Sequence, residues 1–226
     1  MKSTSYNLVE HGAYTIAQLA TFAEIRHWSK VKRWLFGSST GAAALEPFAP
    51  DPEIVSFVDL AQVMAVRNIL AKRQVSLQRI REAIQTATEH GVRYPFAQKH
   101  QAWVQPSGHV AIRLENGLVI GATGKNKHHG FIEKYAVHPV DDLGFDASGM
   151  ASSYTPEHEK GRKIVLRPGV RFGAPVVVPC GYTVETLVCA VEAEGSILKA
   201  ARVVGVDQGD IRLAIRYDER LNRIAA

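Results

Sequence analysis

The chain has 226 residues and a formal net charge of +5, from 27 Lys and Arg against 22 Asp and Glu, with nine His counted neutral. With 46% hydrophobic and 22% charged residues the composition is globular, which excludes wholesale disorder and suits one large domain or two small ones. No apolar run approaches the roughly 18 residues that span a bilayer. The opening MKSTSYNLVEHG lacks the apolar core of a signal peptide. Two cysteines, Cys180 and Cys189, neither frame a disulfide scaffold nor complete a zinc site, so the expectation is a cytoplasmic protein with reduced, structural thiols and no membrane partner.

The positive excess is uneven. Residues 1–100 hold twelve basic and eight acidic groups, residues 101–165 seven of each, and residues 166–226 eight against seven. Within the first segment, residues 14–37 read as two short helices with a tight connection. Thr15 and Gln18 form a capping-box pair ahead of Ile16, Leu19 and Ala20 at helical spacing. A second helix can start at Ser29 and stop at Gly37, with Val31, Trp34 and Leu35 on one arc. Ser29, Lys32 and Arg33 then share the opposite arc, with Lys30 on its flank. Residues 38–55, with prolines at 47, 50 and 52, suit a loop or short wing. Residues 56–73 contain neither Pro nor Gly and predict a helix buried on much of its circumference, broken at Gln74 and Val75. Ser76 can cap the next helix, which carries Leu77, Ile80, Ile84 and Ala87 at helical intervals up to Gly91.

The period then changes from 3.6 to 2. After the turn Pro106-Ser107-Gly108, the apolar Val110, Ile112 and Leu114 alternate with Ala111, Arg113 and Glu115. Asn116-Gly117 is a hairpin signal before Leu118, Val119 and Ile120, and Trp103 suggests a third strand. Residues 138–163, dense in Asp, Gly, Ser and Pro, read as a long loop or linker that would hold any domain boundary. After an extended stretch at Val176–Val178, helices are predicted at 183–194, 196–204 and 207–224. Asp207 caps the last of them, and Asp210 places negative charge in its first turn. The expected fold is α+β and mainly α: a helical N-terminal domain over 1–100, an antiparallel β segment and linker over 101–165, and a trihelical module over 166–226.

Two basic faces carry the functional expectations. Lys30, Lys32 and Arg33, with Ser29 beside them and Arg26 in the preceding turn, can neutralise phosphates if the helix enters the major groove; the alternative is a solvated helix face. Arg212, Arg216, Arg220 and Arg223 fall at i, i+4, i+8 and i+11 on one face of the last helix. They read either as a partner-binding surface or as an exposed face paired through Glu219. Other groups are weaker candidates. His128-His129 lacks metal-ligand spacing, and Gly121-Ala122-Thr123-Gly124-Lys125 places its first glycine wrongly for a phosphate loop and is followed by Asn126. Asp141, Asp142 and Asp146 suit loop solvation better than Mg²⁺ binding, and Cys189 suits a helix core better than nucleophilic catalysis. No catalytic constellation emerges, and neither a metal nor a cofactor is expected.

The runs Tyr14-Thr15-Ile16-Ala17-Gln18-Leu19-Ala20, Lys32-Arg33-Trp34-Leu35, Ser56-Phe57-Val58-Asp59-Leu60 and Val75-Ser76-Leu77-Gln78-Arg79-Ile80-Arg81 together resemble a MerR-type winged helix-turn-helix. The runs Arg171-Phe172-Gly173-Ala174-Pro175-Val176-Val177 and Asp210-Ile211-Arg212-Leu213-Ala214-Ile215 resemble the C-terminal module known as domain of unknown function 433. Chains that join the two are similar to VapB-type antitoxins. The resemblance implies a non-enzymatic homodimer that binds operator DNA and neutralises a PIN-like ribonuclease toxin. A stand-alone MerR-like regulator with a small effector, and a metal-dependent nuclease, are the other classes. The sequence departs from the resemblance in two places: the first turn has no glycine and is about one residue longer, and Pro179-Cys180-Gly181 stands where the module has Gly-Thr-Arg.

Overall fold

A computed structural model describes residues 11–39, 41–48, 53–72, 75–99, 101–104, 108–130, 140 and 142–225. Pro50, Pro52, Gln74, Pro106, Ser107 and Asp141 lie outside these residues. The fold is mixed α and β. Among the described residues it has seven α-helices and two small antiparallel sheets, with helix predominating. It divides into two compact units: Tyr14–Ser152, and Ser153–Ala226 together with the residues just before Tyr14.

In the first unit, α1 (Ile16–Phe22) starts at the expected capping box. The Gln18 N–H donates to Thr15 Oγ1 (3.2 Å) and the Thr15 N–H to Gln18 Oε1 (2.9 Å). The chain turns through residues 23–27, where Glu24 takes a φ of 54°, the left-handed conformation a turn glycine would otherwise supply. Helix α2 (Trp28–Phe36) begins one residue before Ser29 and buries Val31, Trp34 and Leu35. At its end, Gly37 has a φ of 75°, and a Cβ there would lie 2.9 Å from the Ala43 nitrogen and the Gly41 oxygen. Only glycine lets the chain double back so closely. The returning strand of loop donates from the Ala44 and Leu45 N–H groups to the Trp34 carbonyl, at 2.8 and 3.0 Å.

Helix α3 (Phe57–Lys72) is apolar around its circumference and correspondingly buried without a break from Phe57 to Val66. Ser56 and the buried Asp59 cap its start reciprocally. Helix α4 (Leu77–Glu89), capped by Ser76, is one-sided and buries Ile80, Ala83, Thr86 and Ala87. It packs on the sheet formed by β1 (Ala102–Val104), β2 (Val110–Arg113) and β3 (Val119–Gly121), and Thr86 Oγ1 donates to the Ala122 carbonyl at 3.1 Å. The hairpin pairs Arg113 with Val119 and Ile112 with Ile120. A further Leu114–Leu118 bond closes a three-residue loop in which Gly117 supplies the left-handed position (φ 83°).

The expected linker at 138–163 contains regular structure. Strand β4 (Leu143–Phe145) is followed by a turn in which Asp146 Oδ1 accepts from the Ser148 N–H (2.9 Å), the Ser148 hydroxyl (2.6 Å) and the Met150 N–H (3.0 Å). Strand β5 (Ala151–Glu159) then crosses from the first unit into the second. Its side chains are mostly half-buried and polar on both faces, so the apolar alternation that marks a strand is missing.

In the second unit, β5 pairs antiparallel with β6 (Arg162–Leu166), joining Glu159 to Arg162 and Glu157 to Ile164. The two connecting residues, Lys160 and Gly161, both have positive φ (48° and 82°), the requirement of a type I′ turn. Strand β7 (Val176–Val178) pairs with β6 on its other side. Helices α5 (Val184–Glu194) and α6 (Ile197–Val204) match the expected spans; they start at the caps Thr183 and Ser196 and end at left-handed Gly195 and Gly205. Helix α7 (Gln208–Ala225) buries Ile211, Leu213, Ala214, Tyr217 and Leu221 against α5 and the β6–β7 ladder. The three helices therefore share a core with the strands, through Ile164, Leu166, Val177 and Leu187. Cys189 is exposed, contrary to its expected place in a helix core, because the buried side of α5 is set by Val184 and Leu187.

Candidate functional site

The first basic face lies within the N-terminal unit. Packing of Val31, Trp34 and Leu35 onto α1 and α3 fixes the rotation of α2, and Ser29, Lys30, Lys32 and Arg33 all point to solvent, with Arg26 exposed in the preceding turn. Lys30 Nζ sits 5.2 Å from the centre of the Trp34 ring, which restrains that side chain along the helix. Lys32 and Arg33 have no ion-pair partner among the described residues. Glu24, the acid nearest in sequence, is drawn toward α3: Arg67 reaches its carboxylate at 3.2 Å and the Ala23 carbonyl at 2.6 Å. Trp28, the first residue of α2, is 52% exposed beside the cations. The helix expected from Ser29 leaves Trp28 in the connection, whereas the structure makes it the first residue of α2, an exposed indole next to the basic arc.

The second basic face lies within the C-terminal unit, and its four arginines are engaged differently. Arg216 pairs with Glu159 and lies 4.0 Å from Glu157, and Arg220 meets Glu157 at 3.3 Å. These acids come from β5, not from Glu219 or elsewhere in residues 166–226. Arg223 Nε donates to the Glu219 backbone carbonyl (3.2 Å), and Arg212 donates to the neutral Gln208 side chain (2.9 Å). A residue the sequence did not single out, Arg162, holds the start of α7. Its Nε donates to the buried Asp210 (2.9 Å) and its terminal nitrogen to Asp207 (2.7 Å). Asp210 thus serves an ion pair in addition to lying near the positive end of the helix dipole. The signal for Arg162 was its opposite charge to two acids one helical step apart, which only the fold brings together across more than forty residues.

The remaining candidates make local contacts. His128 Nδ1 lies 3.2 Å from His90 Nε2, and no group of three potential metal-ligating side chains forms among the described residues. Beside them, slight burial pushes the Glu89 carboxyl up. The hydrogen bond and charge of Lys127, helped by Gln85 and His128, outweigh this and hold it below the usual range. Residues 124–126 form a single 3-10 turn, and Thr123 Oγ1 accepts the Val110 N–H at 3.2 Å, so the glycine-rich run closes a sheet edge and does not open a helix. Asp146 is committed to its own turn, and Ser148 leads the hydrogen bonds that lower its pKa despite partial burial. Burial pushes the Cys180 thiol up, which opposes thiolate formation.

Among the described residues no helix is long and apolar enough to cross a membrane. No protein-family model matches this sequence, and no curated protein does. Among solved structures, the X-ray crystal structure of Rv2018 from Mycobacterium tuberculosis is similar, with a TM-score of 0.58 at 18% sequence identity over 89% of this chain and 96% of that one. At that identity the likeness is one of fold alone.

Proposed function

We propose that this chain is the antitoxin of a type II toxin-antitoxin pair, a non-enzymatic homodimer that represses its own operon and neutralises a PIN-like ribonuclease. The observation that carries the reading is the exposed arc Ser29, Lys30, Lys32 and Arg33 on a short helix whose opposite side is locked into a core. Cations on a rigid, protruding helix face neutralise phosphates and bring neighbouring polar groups to base edges. Arg26 and Trp28 extend the same surface, and two copies related by a two-fold axis match the half-sites of a pseudo-palindromic operator. The C-terminal unit, with its arginine-bearing α7, is assigned to the toxin. Support for the pairing of these two activities is the sequence resemblance to VapB-type antitoxins.

The test is co-expression with the product of the adjacent gene, followed by purification and a growth assay. A stable complex and rescue of growth are the expected results; absence of both refutes the antitoxin reading. If binding to the upstream DNA persists without a toxin partner, the stand-alone MerR-like regulator takes its place.

A further inference from the structure

Between the β5–β6 turn and the first turn of α7, the C-terminal unit has a cleft of about 230 Å³ lined by Glu159, Lys160, Arg162, Asp207, Arg212 and Arg216. We propose that this cleft receives an acidic side chain from a protein partner, with Lys160 and Arg212 as the contacts at its mouth. The inference rests on the antitoxin reading only for the partner's identity.

The walls are built before any ligand arrives. Arg162 is held by Asp207 and Asp210, and its guanidinium lies so close over Gly209 that a Cβ there would fall 2.7 Å from Cζ. Arg216 is held by Glu159. Lys160 and Arg212 differ from these two. The type I′ turn fixes the Lys160 backbone, yet its ammonium has no ion-pair partner among the described residues, and Arg212 engages only a neutral amide. Both are exposed. A carboxylate entering the cleft gains two charge-assisted hydrogen-bond donors without displacing an existing pair, and the neighbouring N-terminus of α7 adds a favourable dipole.

The same geometry selects against nucleic acid. Four cations line the cleft against two carboxylates, a surplus of two. A phosphodiester track needs a row of unopposed cations, whereas Glu159 and Asp207 in these walls would repel successive phosphates. A single carboxylate, presented on a peptide, fits both the surplus and the confined volume.

The experiment is an amide NMR titration of the full chain with an acetylated tetraglutamate peptide, alongside tetraglutamine and a short DNA duplex. Saturable shifts at Lys160, Gly209 and Arg212 are expected from tetraglutamate alone. Lys160→Ala with Arg212→Ala should weaken that binding about tenfold or more. Arg202→Ala, an exposed cation on α6, should leave it unchanged. The proposal is overturned if those amides do not shift, if the double variant binds as tightly as the original chain, or if the duplex shifts the same amides at lower concentration. If the adjacent gene product binds the double variant with undiminished affinity, the cleft assignment fails and the antitoxin reading stands. If tetraglutamate docks in the cleft while no toxin binds, the reverse holds.

Discussion

Replacing Gly209 with alanine tests the packing at the start of α7, because two effects of known size oppose each other there. In an ordinary helix, Gly→Ala stabilises by about 1 kcal/mol. At this position the new Cβ would lie 2.7 Å from Arg162 Cζ, 2.8 Å from its Nε and 2.9 Å from Asp207 Oδ1. The guanidinium, the far end of a flexible side chain, must shift, which strains its bonds to Asp210 (2.9 Å) and Asp207 (2.7 Å). Asp207 is largely exposed and contributes little. Asp210 is buried, and a charge-assisted bond to such a group is worth about 1.5–3 kcal/mol. The net expectation is destabilisation by about 0.5–2 kcal/mol, the reverse of helix propensity. Urea unfolding followed by far-UV circular dichroism measures it. Tryptophan emission serves as an internal control, since Trp28, Trp34 and Trp103 all lie in the other unit. In an Arg162→Met background the same Gly209→Ala change should recover its usual benefit. Gly209→Ala stabilising equally in both backgrounds would show that the Arg162 contact carries no energetic weight.

Three further outcomes are expected. Lys32→Ala with Arg33→Ala should leave stability unchanged, since both side chains are exposed, but flatten the salt dependence of DNA binding by roughly 1–2 units of logarithmic slope; an unaltered slope in a fluorescence titration removes α2 from the interface. Asp146 has its pKa lowered by the hydrogen bonds of its turn, so the stability it confers is present above the carboxyl's unfolded value and lost as pH falls through the lower folded value. The protection factors of the Ser148 and Met150 amides should fall over that acidic window, and Asp146→Ala should abolish that change in protection. For Arg220 and Glu157, a double-mutant cycle with Arg220→Ala and Glu157→Gln should return a coupling of about 0.5–1 kcal/mol, since both side chains are partly shielded. A coupling of zero would mean that this pair adds nothing to holding β5, leaving that to Arg216 with Glu159 and to the backbone ladder.

Elements whose cause is local were legible in the sequence. Thr15, Ser76, Thr183 and Ser196 cap helices through hydrogen bonds spanning three residues, and Gly195 and Gly205 stop them by adopting a conformation other residues resist. The β2–β3 hairpin was legible for the same reason, through its apolar run and Asn116-Gly117. Strands β5 and β6 were not. The mostly polar β5 carries no alternation, β6 is only a short apolar run (Ile164, Val165, Leu166) behind two basic residues, and Lys160-Gly161 makes a type I′ turn with a non-glycine residue at a position of positive φ. What holds β5 beside α7 is ion pairing of Glu157 and Glu159 to Arg216 and Arg220, partners more than fifty residues away, to which local periodicity is blind.

The same non-local pairing changes what the arginine stripe means. Helical spacing states correctly that Arg212, Arg216, Arg220 and Arg223 share a side of α7, but it does not state what faces them. Two of the four meet carboxylates of β5, and their fields largely cancel at a distance. Arg212, at the end nearest the β5–β6 turn, meets no acid among the described residues and stands in one cleft with Lys160, a residue from a different element. The nearly balanced charge of residues 166–226 therefore conceals a local surplus, because the ion pairs that neutralise its arginines are drawn from residues 101–165. Removing Glu159 would consequently do more than lower the acid count. It would release Arg216 toward the cleft, and a tetraglutamate probe should bind Glu159→Gln more tightly than the original chain if the cleft's attraction is set by its uncompensated cations.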